Sequence, residues 1–213
     1  MNYLKQWKIK VIENANLEDE VTISAKAGSI GGSRLGLKKD DKITVKNLLY
    51  GLMMRSGNDA AVALAEYVGG SVQGFAEKMN AKAKELKLQN THFVTPHGLD
   101  DPDHYTTAYE LAIITDYAME NEIFAKIVST QNYTVSINGY TKSLNNTNEL
   151  LGVLQGVKGV KTGFTNNAGR CLVTCTNRDG FEIITVVLGA DTKKFRTTDS
   201  IKLIEYTYKN YKP

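Results

Sequence analysis

Cysteine, histidine and proline are scarce in this 213-residue sequence, which contains two, three and three of them, respectively. Cys171 and Cys175 lie four residues apart; in a strand their Cα atoms would be separated by about 13 Å at ~3.3 Å per residue, whereas a disulfide needs less than ~7 Å. We therefore predict two small core residues without a disulfide.

The spacing of His92, His97 and His104 does not match that of any common zinc site. We therefore predict that these histidines fix a loop or lie on the surface, and we predict no metal and no cofactor.

Long apolar runs are also missing. No run approaches the ~20 apolar residues of a membrane span, so no transmembrane segment is expected. The first residues, MNYLKQWKIKVIEN, lack the apolar region of a signal peptide, and taken literally the chain would be cytoplasmic. The net charge is +3 and the lysines are scattered. A nucleic-acid partner would need clustered Lys and Arg with stacking aromatics, so none is predicted.

Apolar residues recur at helical spacing through the first half of the chain. The spacing predicts a short helix over 4–13, a glycine-rich loop over 28–36, helices from residue 44 onward, and a long loop over 90–106. Residues with N-cap chemistry mark the expected helix starts. They are Thr44, Asn58 or Asp59, Ser71, and Thr107 in a capping box with Glu110, and Gly69-Gly70 is expected to end the second of these helices.

The period changes from helix to strand at about residue 131. Apolar and polar residues alternate over 133–137, and Asn138-Gly139 is a strong two-residue hairpin signal. A second hairpin is expected to join CLVTCT to FEIITVVLGA, and an amphipathic helix follows.

These patterns predict one α/β domain over 1–213, with an antiparallel sheet flanked by helices. Its helical part is expected at about 44–130, and its sheet and C-terminal helix at about 131–213.

Two short triplets carry candidate chemistry: Ser56-Gly57-Asn58, between two predicted helices, and Lys161-Thr162-Gly163, near a predicted hairpin. A serine at such a junction can relay a proton to a leaving amine, and Asn58 can bind a substrate amide or fix a nearby lysine. Lys161 and Thr162 can hold a substrate carboxylate, and Gly163 lets a ligand backbone approach closely. Each triplet alone is an ordinary turn or strand end; their order, separation and placement together favour one active site.

The triplets match two of the three signature elements of serine penicillin-recognising enzymes, which are Ser-x-x-Lys, Ser-Asp-Asn and Lys-Thr-Gly. Longer segments extend the match from about residue 9 to the end. They are GGSRLGLKKDDKITVKNLLYGLMMRSGNDAAVALAEYVGG, FAEKMNAKAKELKLQNTHFVTPHGLDDPDHYTTAYELA, NNTNELL and GVKGVKTGFT. With them the chain resembles the serine-type D-alanyl-D-alanine carboxypeptidases of the low-molecular-mass penicillin-binding class.

The resemblance implies a β-lactamase/transpeptidase-like fold and an enzyme that trims the terminal D-alanine of peptidoglycan stem peptides ending in D-Ala-D-Ala. It implies that Ser56, Asn58 and Lys161 are catalytic, and that Lys161, Thr162, Gly163 and Arg196 bind the substrate. By the same resemblance the protein would act in the cell envelope, outside the cytoplasm.

The sequence departs from the family pattern at its start. No Ser-x-x-Lys occurs in it, and the helix that carries this element in the family would put the serine near Met1 and the lysine near Leu4. Thr147 stands where some members have arginine. The N-terminal part of the fold is therefore expected to be truncated and the chain impaired or inactive as given, with a truncated, misassigned or frameshifted gene start as one explanation. β-Lactams are expected to bind without a covalent adduct.

Two alternatives remain open at this point. One is a non-catalytic protein that binds cell-wall peptide through the Lys161 strand. The other is a β-lactamase-like hydrolase, which is disfavoured because no Glu-x-x-x-Asn element occurs in the 90–130 region.

Overall fold

A computed structural model describes residues 9–212. Helices and two short strands make up the first part of the chain, followed by five strands and a long final helix. The helical part contains α1 (Ile9–Asn14), β1 (Glu20–Thr22), α2 (Ala25–Ser29), β2 (Lys42–Thr44), α3 (Val45–Arg55), α4 (Asn58–Gly69), α5 (Val72–Glu85), α6 (Ala108–Met119) and α7 (Glu122–Ser129). The second part contains β3 (Asn132–Ile137), β4 (Tyr140–Asn145), β5 (Val157–Thr165), β6 (Gly169–Arg178), β7 (Phe181–Ala190) and α8 (Lys193–Asn210).

Three antiparallel strands form the main sheet, in the order β5-β6-β7. The pairs β1-β2 and β3-β4 form two smaller antiparallel sheets. The predicted turn residues Asn138 and Gly139 both have positive φ, 48° and 81°, as a type I′ hairpin requires. The fold class predicted from the sequence, an antiparallel sheet with flanking helices, is confirmed.

Strand β6 separates two apolar layers because successive side chains of a strand point to opposite faces. Cys171 and Cys175 pack into the large core on one face, and both are buried free thiols, as predicted. Leu172 faces the other way and packs with Ile204 of α8 and Leu150. The sheet is thus covered by the helical part on one side and by α8 on the other.

Local cap chemistry sets most helix starts. The Thr44 hydroxyl accepts a hydrogen bond from the Asn47 N–H (3.3 Å), and the Ser71 hydroxyl accepts one from the Gly74 N–H (2.9 Å). Helix α4 ends at Gly69, and its C-cap Gly70 is in the left-handed region at φ 70°. These three boundaries agree with the sequence-based predictions.

Other local predictions were wrong in part. The loop expected over 28–36 begins later, because α2 extends to Ser29. Of the helix expected over 4–13, residues before 9 lie outside the described part of the chain. The capping box at Thr107 is only half formed: its hydroxyl accepts from the Glu110 N–H, but the Glu110 carboxylate accepts instead from the N–H groups of Gln89 and Asn90.

The predicted cap of α4 was also wrong, because Asn58 and Asp59 lie inside the helix and are fully buried. The Asp59 carboxylate accepts hydrogen bonds from the N–H groups of Leu35, Gly36 and Leu37, at 2.8–3.0 Å. It therefore fixes the loop before β2 against the first turn of α4.

Within residues 9–212, none of the helices combines the length and the apolarity that crossing a bilayer requires.

Candidate active site

Ser56 occupies the junction between α3 and α4 in an unusual conformation. It is the C-cap of α3 in the left-handed region, at φ 57° and ψ 32°, and its N–H donates to the Gly51 carbonyl. Residues other than glycine rarely adopt this conformation, which costs of order 1–3 kcal/mol and is common at functional sites. The helix–helix junction thus holds the serine hydroxyl at a fixed place.

Lys161 approaches Ser56 from the edge strand of the sheet. It lies on β5, opposite Val173 of β6, and its Nζ donates to Ser56 Oγ at 2.5 Å across 105 residues of sequence. Nζ also donates to the Thr162 carbonyl oxygen at 2.7 Å. The two triplets found in the sequence therefore meet in space.

Burial changes the acidity of Lys161. Its side chain is 1 % exposed, and among the described residues no carboxylate lies within ion-pair distance of its Nζ. Burial, together with the nearby positive charge of Arg196, lowers the pKa of Lys161 from 10.5 to about 7. A lysine with this pKa can exchange a proton with a neighbouring hydroxyl at neutral pH.

A cavity of about 520 Å³ opens beside this contact. Ser56, Thr162 and Gly163 line it, and its described wall carries five cationic side chains and one acidic one. The cationic residues are Arg34, Arg55, Arg170, Lys193 and Arg196, and the acidic residue is Glu149. The excess of positive charge suits an anionic ligand.

Arg196 is the most deeply buried arginine of this wall. It lies in the first turn of α8, is 4 % exposed, and its Nη2 is 3.2 Å from Glu149 Oε2. Burial lowers its pKa, while Glu149 raises it. A buried guanidinium that faces a polar cavity is a strong site for a carboxylate, because it offers paired N–H donors.

Thr147 and Thr162 connect the segment after β4 to β5. Their hydroxyl oxygens are 2.7 Å apart, and both residues line the cavity. Asn146 donates through its amide to the carbonyls of Val128 and Thr130, which fixes the same segment to α7. The Thr147 hydroxyl therefore contacts the candidate carboxylate-binding threonine.

Asn58 lies in the first turn of α4 and is fully buried, and its amide donates to the Gly31 carbonyl oxygen at 2.8 Å. Gly32 has φ 82°, and a Cβ there would meet the Asn58 amide at 2.6 Å. Asn58 thus packs directly under the glycine-rich loop that forms one wall of the cavity.

The three histidines lie away from these groups and fix the 90–106 loop. His104 Nδ1 accepts hydrogen bonds from the N–H groups of Val94 and Thr95, and His97 Nδ1 accepts one from Leu99. Burial lowers the pKa of His104 to about 3. No group of three or more potential metal ligands occurs within residues 9–212.

Several residues of the wall were not identified from the sequence. Glu149, Arg170 and Lys193 come from three separate segments, and only the fold brings them to one cavity. Arg170 stacks over the Phe164 ring, with its guanidinium carbon 4.3 Å from the ring centroid. Glu149 lies in the NNTNELL segment, Arg170 lies a few residues after the Lys-Thr-Gly triplet, and Lys193 lies three residues before Arg196. Only these positions could have signalled them.

Comparison with solved structures defines the class of the fold. The crystal structure of a Streptomyces DD-transpeptidase matches 98% of this chain and 87% of its own, with a TM-score of 0.92 and 35% identity. The D-alanyl-D-alanine carboxypeptidase DacD of Francisella tularensis matches 99% of this chain and 63% of its own, with a TM-score of 0.87 and 30% identity. The fold is therefore that of the DD-transpeptidases and DD-carboxypeptidases, as the sequence motifs indicated.

The sequence comparisons define the family. A family model described as D-alanyl-D-alanine carboxypeptidase matches residues 8–192. DacF of Bacillus subtilis is 39% identical over 212 residues, which are 99% of this chain and 53% of that protein. DacD of Escherichia coli is 39% identical over 184 residues, which are 85% of this chain and 46% of that protein. The chain belongs to the D-alanyl-D-alanine carboxypeptidase family, and it spans about half the length of these curated relatives.

Proposed function

We propose that this chain provides the substrate-binding and proton-transfer groups of a D-alanyl-D-alanine carboxypeptidase that acts on peptidoglycan stem peptides in the cell envelope. The observation that carries the proposal is the contact of Lys161 Nζ with Ser56 Oγ, at 2.5 Å, beside a cationic cavity. Membership of the carboxypeptidase family supports the same reaction class.

The cationic wall fits the carboxylate of a terminal D-alanine. Arg196 offers a buried guanidinium, and Thr162 offers a hydroxyl on the strand that a substrate would follow. Both residues are buried. A carboxylate placed between them would therefore form charge-assisted hydrogen bonds with little competition from water. Gly163, next to Thr162, leaves room for the substrate backbone.

The Lys161–Ser56 pair fits the proton transfer that amine departure requires. When the C–N bond of the tetrahedral intermediate breaks, the departing nitrogen takes the proton of the Ser56 hydroxyl. The Lys161 ammonium then returns a proton to Ser56 Oγ. A pKa of about 7 for Lys161 matches this role, because the group can give and regain the proton near neutral pH.

The acylating step needs a further nucleophile, and the sequence contains no serine followed by lysine at the Ser-x-x-Lys spacing. We therefore propose that the polypeptide as given binds the peptide and is not itself acylated. Incubation with a labelled penicillin followed by intact-mass measurement tests this point. A stable acyl adduct would reject it and would identify a substitute nucleophile by peptide mapping.

Binding itself is tested by calorimetry with an N-acyl-D-Ala-D-Ala peptide and with the same peptide as its C-terminal amide. The free acid should bind and the amide should bind at least ~10-fold more weakly, since one charge-assisted contact contributes about 1.5–3 kcal/mol. Thr162→Val should weaken binding of the acid, whereas Thr134→Val on the β3-β4 hairpin should not. Equal affinity for acid and amide would contradict the proposed carboxylate site.

A further inference from the structure

The cavity contains a carboxylate of its own. Glu149 Oε2 lies 3.2 Å from Arg196 Nη2 and accepts a hydrogen bond from the Thr197 hydroxyl at 3.0 Å. Among the described residues that line the cavity, Glu149 is the sole acidic one. An anion is therefore already bound, intramolecularly, by the arginine to which the proposed function assigns the substrate carboxylate.

The two partners of this ion pair differ in their freedom to move. The Arg196 side chain is 4 % exposed, whereas the Glu149 side chain is 47 % exposed. Arg196 is held in the first turn of α8, and Glu149 lies in the turn that follows β4. Glu149 can thus rotate out into solvent without disturbing the core, and Arg196 cannot.

The charges around Arg196 explain why a carboxylate is needed at this place. The positive charge of Arg170 disfavours that of Arg196, and the positive charge of Arg196 in turn disfavours that of the buried Lys161. Glu149 offsets this repulsion, so it acts as the counter-ion of a cationic cluster. A ligand carboxylate bound to Arg196 would replace Glu149 as the counter-ion, and Glu149 would then lose its ion pair.

We propose that Glu149 is a specificity-determining residue whose carboxylate competes with the C-terminal carboxylate of a peptide for Arg196 and Thr197. The proposal rests on the proposed function, since it assumes that peptide carboxylates enter this cavity. The competition lowers affinity for every carboxylate ligand. A peptide with additional contacts to the wall can still displace Glu149, whereas a simple carboxylic acid, which lacks those contacts, leaves Glu149 paired with Arg196.

A purely orienting role for Glu149 predicts the opposite result. If Glu149 only held the Arg196 guanidinium in place, its removal would let the arginine move and would weaken ligand binding. The direction of the affinity change therefore separates competition from orientation.

The test compares Glu149→Gln with the unmodified chain by calorimetry, with an N-acyl-D-Ala-D-Ala peptide and with acetate. Loss of one competing, half-exposed charge should strengthen binding of the peptide roughly 2- to 5-fold, which corresponds to about 0.4–1 kcal/mol, the upper part of the range for exposed ion pairs. The affinity for acetate should rise by the same factor, because both ligands displace the same carboxylate. Binding of the peptide amide should stay unchanged.

The chain offers a matched control in Glu205→Gln. Glu205 is also on the surface, 49 % exposed, and pairs with Arg178 at 2.6 Å on the side of α8 away from the cavity residues. This variant should bind the peptide as the unmodified chain does. Glu149→Ser removes the same carboxylate and provides the same test if the glutamine variant does not fold.

The possible outcomes are distinguishable. Equal or weaker peptide binding by Glu149→Gln would overturn the competition proposal and leave the proposed function standing. No binding of the peptide by any variant would overturn both. Binding that is tighter in Glu149→Gln and unchanged in Glu205→Gln would support competition at Arg196.

Discussion

Lys161 combines nearly complete burial with a positive charge that no described carboxylate neutralises. Such a group normally costs stability, because the transfer of an ammonium from water is only partly offset by hydrogen bonds to a hydroxyl and a carbonyl. The fold places Lys161 Nζ 2.5 Å from Ser56 Oγ. Ser56 itself is held in the left-handed conformation. Both unfavourable features occur at one contact, which is the pattern expected of a functional site.

Replacing Lys161 by methionine separates stability from binding. Lys161→Met keeps the length of the side chain and removes the charge, so the free energy of unfolding should stay the same or rise by about 1–3 kcal/mol. Binding of a carboxylate peptide should fall at least ~10-fold. Urea denaturation and calorimetry measure the two effects.

The matched control is Lys158→Met on the same strand, since Lys158 is half exposed and its nearest acidic partner, Glu182, is 4.0 Å away. That change should leave both quantities nearly unaltered. A large loss of stability in Lys161→Met would mean that the lysine is a structural element of the sheet rather than a group held for function.

The lowered pKa of Lys161 also predicts how stability depends on pH. In the folded state the group releases its proton at about pH 7, whereas in the unfolded chain it does so near 10.5. Between these values the unfolded state binds more protons, so the folded state gains stability as pH rises, by up to ~1.4 kcal/mol per pH unit. The gain is complete above pH 10.5 and absent below pH 7.

Urea denaturation at pH 7, 8 and 9 should therefore show a rise in the unfolding free energy of the unmodified chain relative to Lys161→Met. Because other groups titrate identically in both proteins, the difference isolates Lys161. Parallel pH profiles would show that the lysine keeps an ordinary pKa and would remove the support for a proton-transfer role.

At the scale of elements, the loop before β2 is held by one carboxylate from a distant helix. Asp59 accepts three backbone N–H groups from residues 35–37, and the neighbouring residues Gly32, Ser33 and Arg34 line the cavity. The first turn of α4 thus sets both the position of Ser56, which precedes it, and the position of the opposite wall.

Asp59→Asn tests this coupling. An amide has one acceptor oxygen and cannot satisfy all of these donors, so the unfolding free energy should fall by about 1–3 kcal/mol. Peptide binding should weaken as well, because the wall loses its fixed position. Asp199→Asn, which alters a half-exposed carboxylate paired with Lys202 within α8, is the matched control and should change neither.

The same elements show what the sequence could and could not predict. Thr44, Ser71 and Asn138-Gly139 were predicted correctly because their partners lie within a few residues of them. Asp59 and Glu110 have the residue types of caps, yet their carboxylates accept from N–H groups about 20 residues away. Asp59 also accepts from the neighbouring Ala60 N–H, but it lies inside the helix rather than at its cap. Cap rules consider only the local chain, so they could not detect this.

The candidate site also contains both features that the sequence could predict and features that depend on the fold. The meeting of Ser56 and Lys161 could be inferred, since both belong to short motifs whose joint occurrence is specific. The buried position of Asn58 and the contacts of Glu149 could not, because each depends on which distant residues the fold brings near. Gly31 is the partner of Asn58, and Arg196 and Thr197 are the partners of Glu149.

At the scale of the whole molecule, charge is distributed unevenly. The net charge is only +3, yet one cavity wall contains five cationic side chains and one carboxylate. Positive groups around a partly enclosed space strengthen one another's potential, so an anionic ligand is attracted to this cavity more than to the rest of the surface. The remaining lysines and arginines are largely balanced by surface acids.

This distribution predicts that binding of a carboxylate peptide depends on salt. Raising ionic strength from 0.1 M to 1 M shortens the screening length from ~10 Å to ~3 Å, so affinity for the free acid should fall roughly 3- to 10-fold, while affinity for the amide stays nearly constant. Lys193→Gln should reduce both the affinity and its salt dependence, because Lys193 is exposed at the cavity wall. Lys202→Gln, on the same helix but outside the cavity wall, should not. A salt-independent affinity for the acid would mean that hydrogen bonds and shape, rather than the cationic wall, select the ligand.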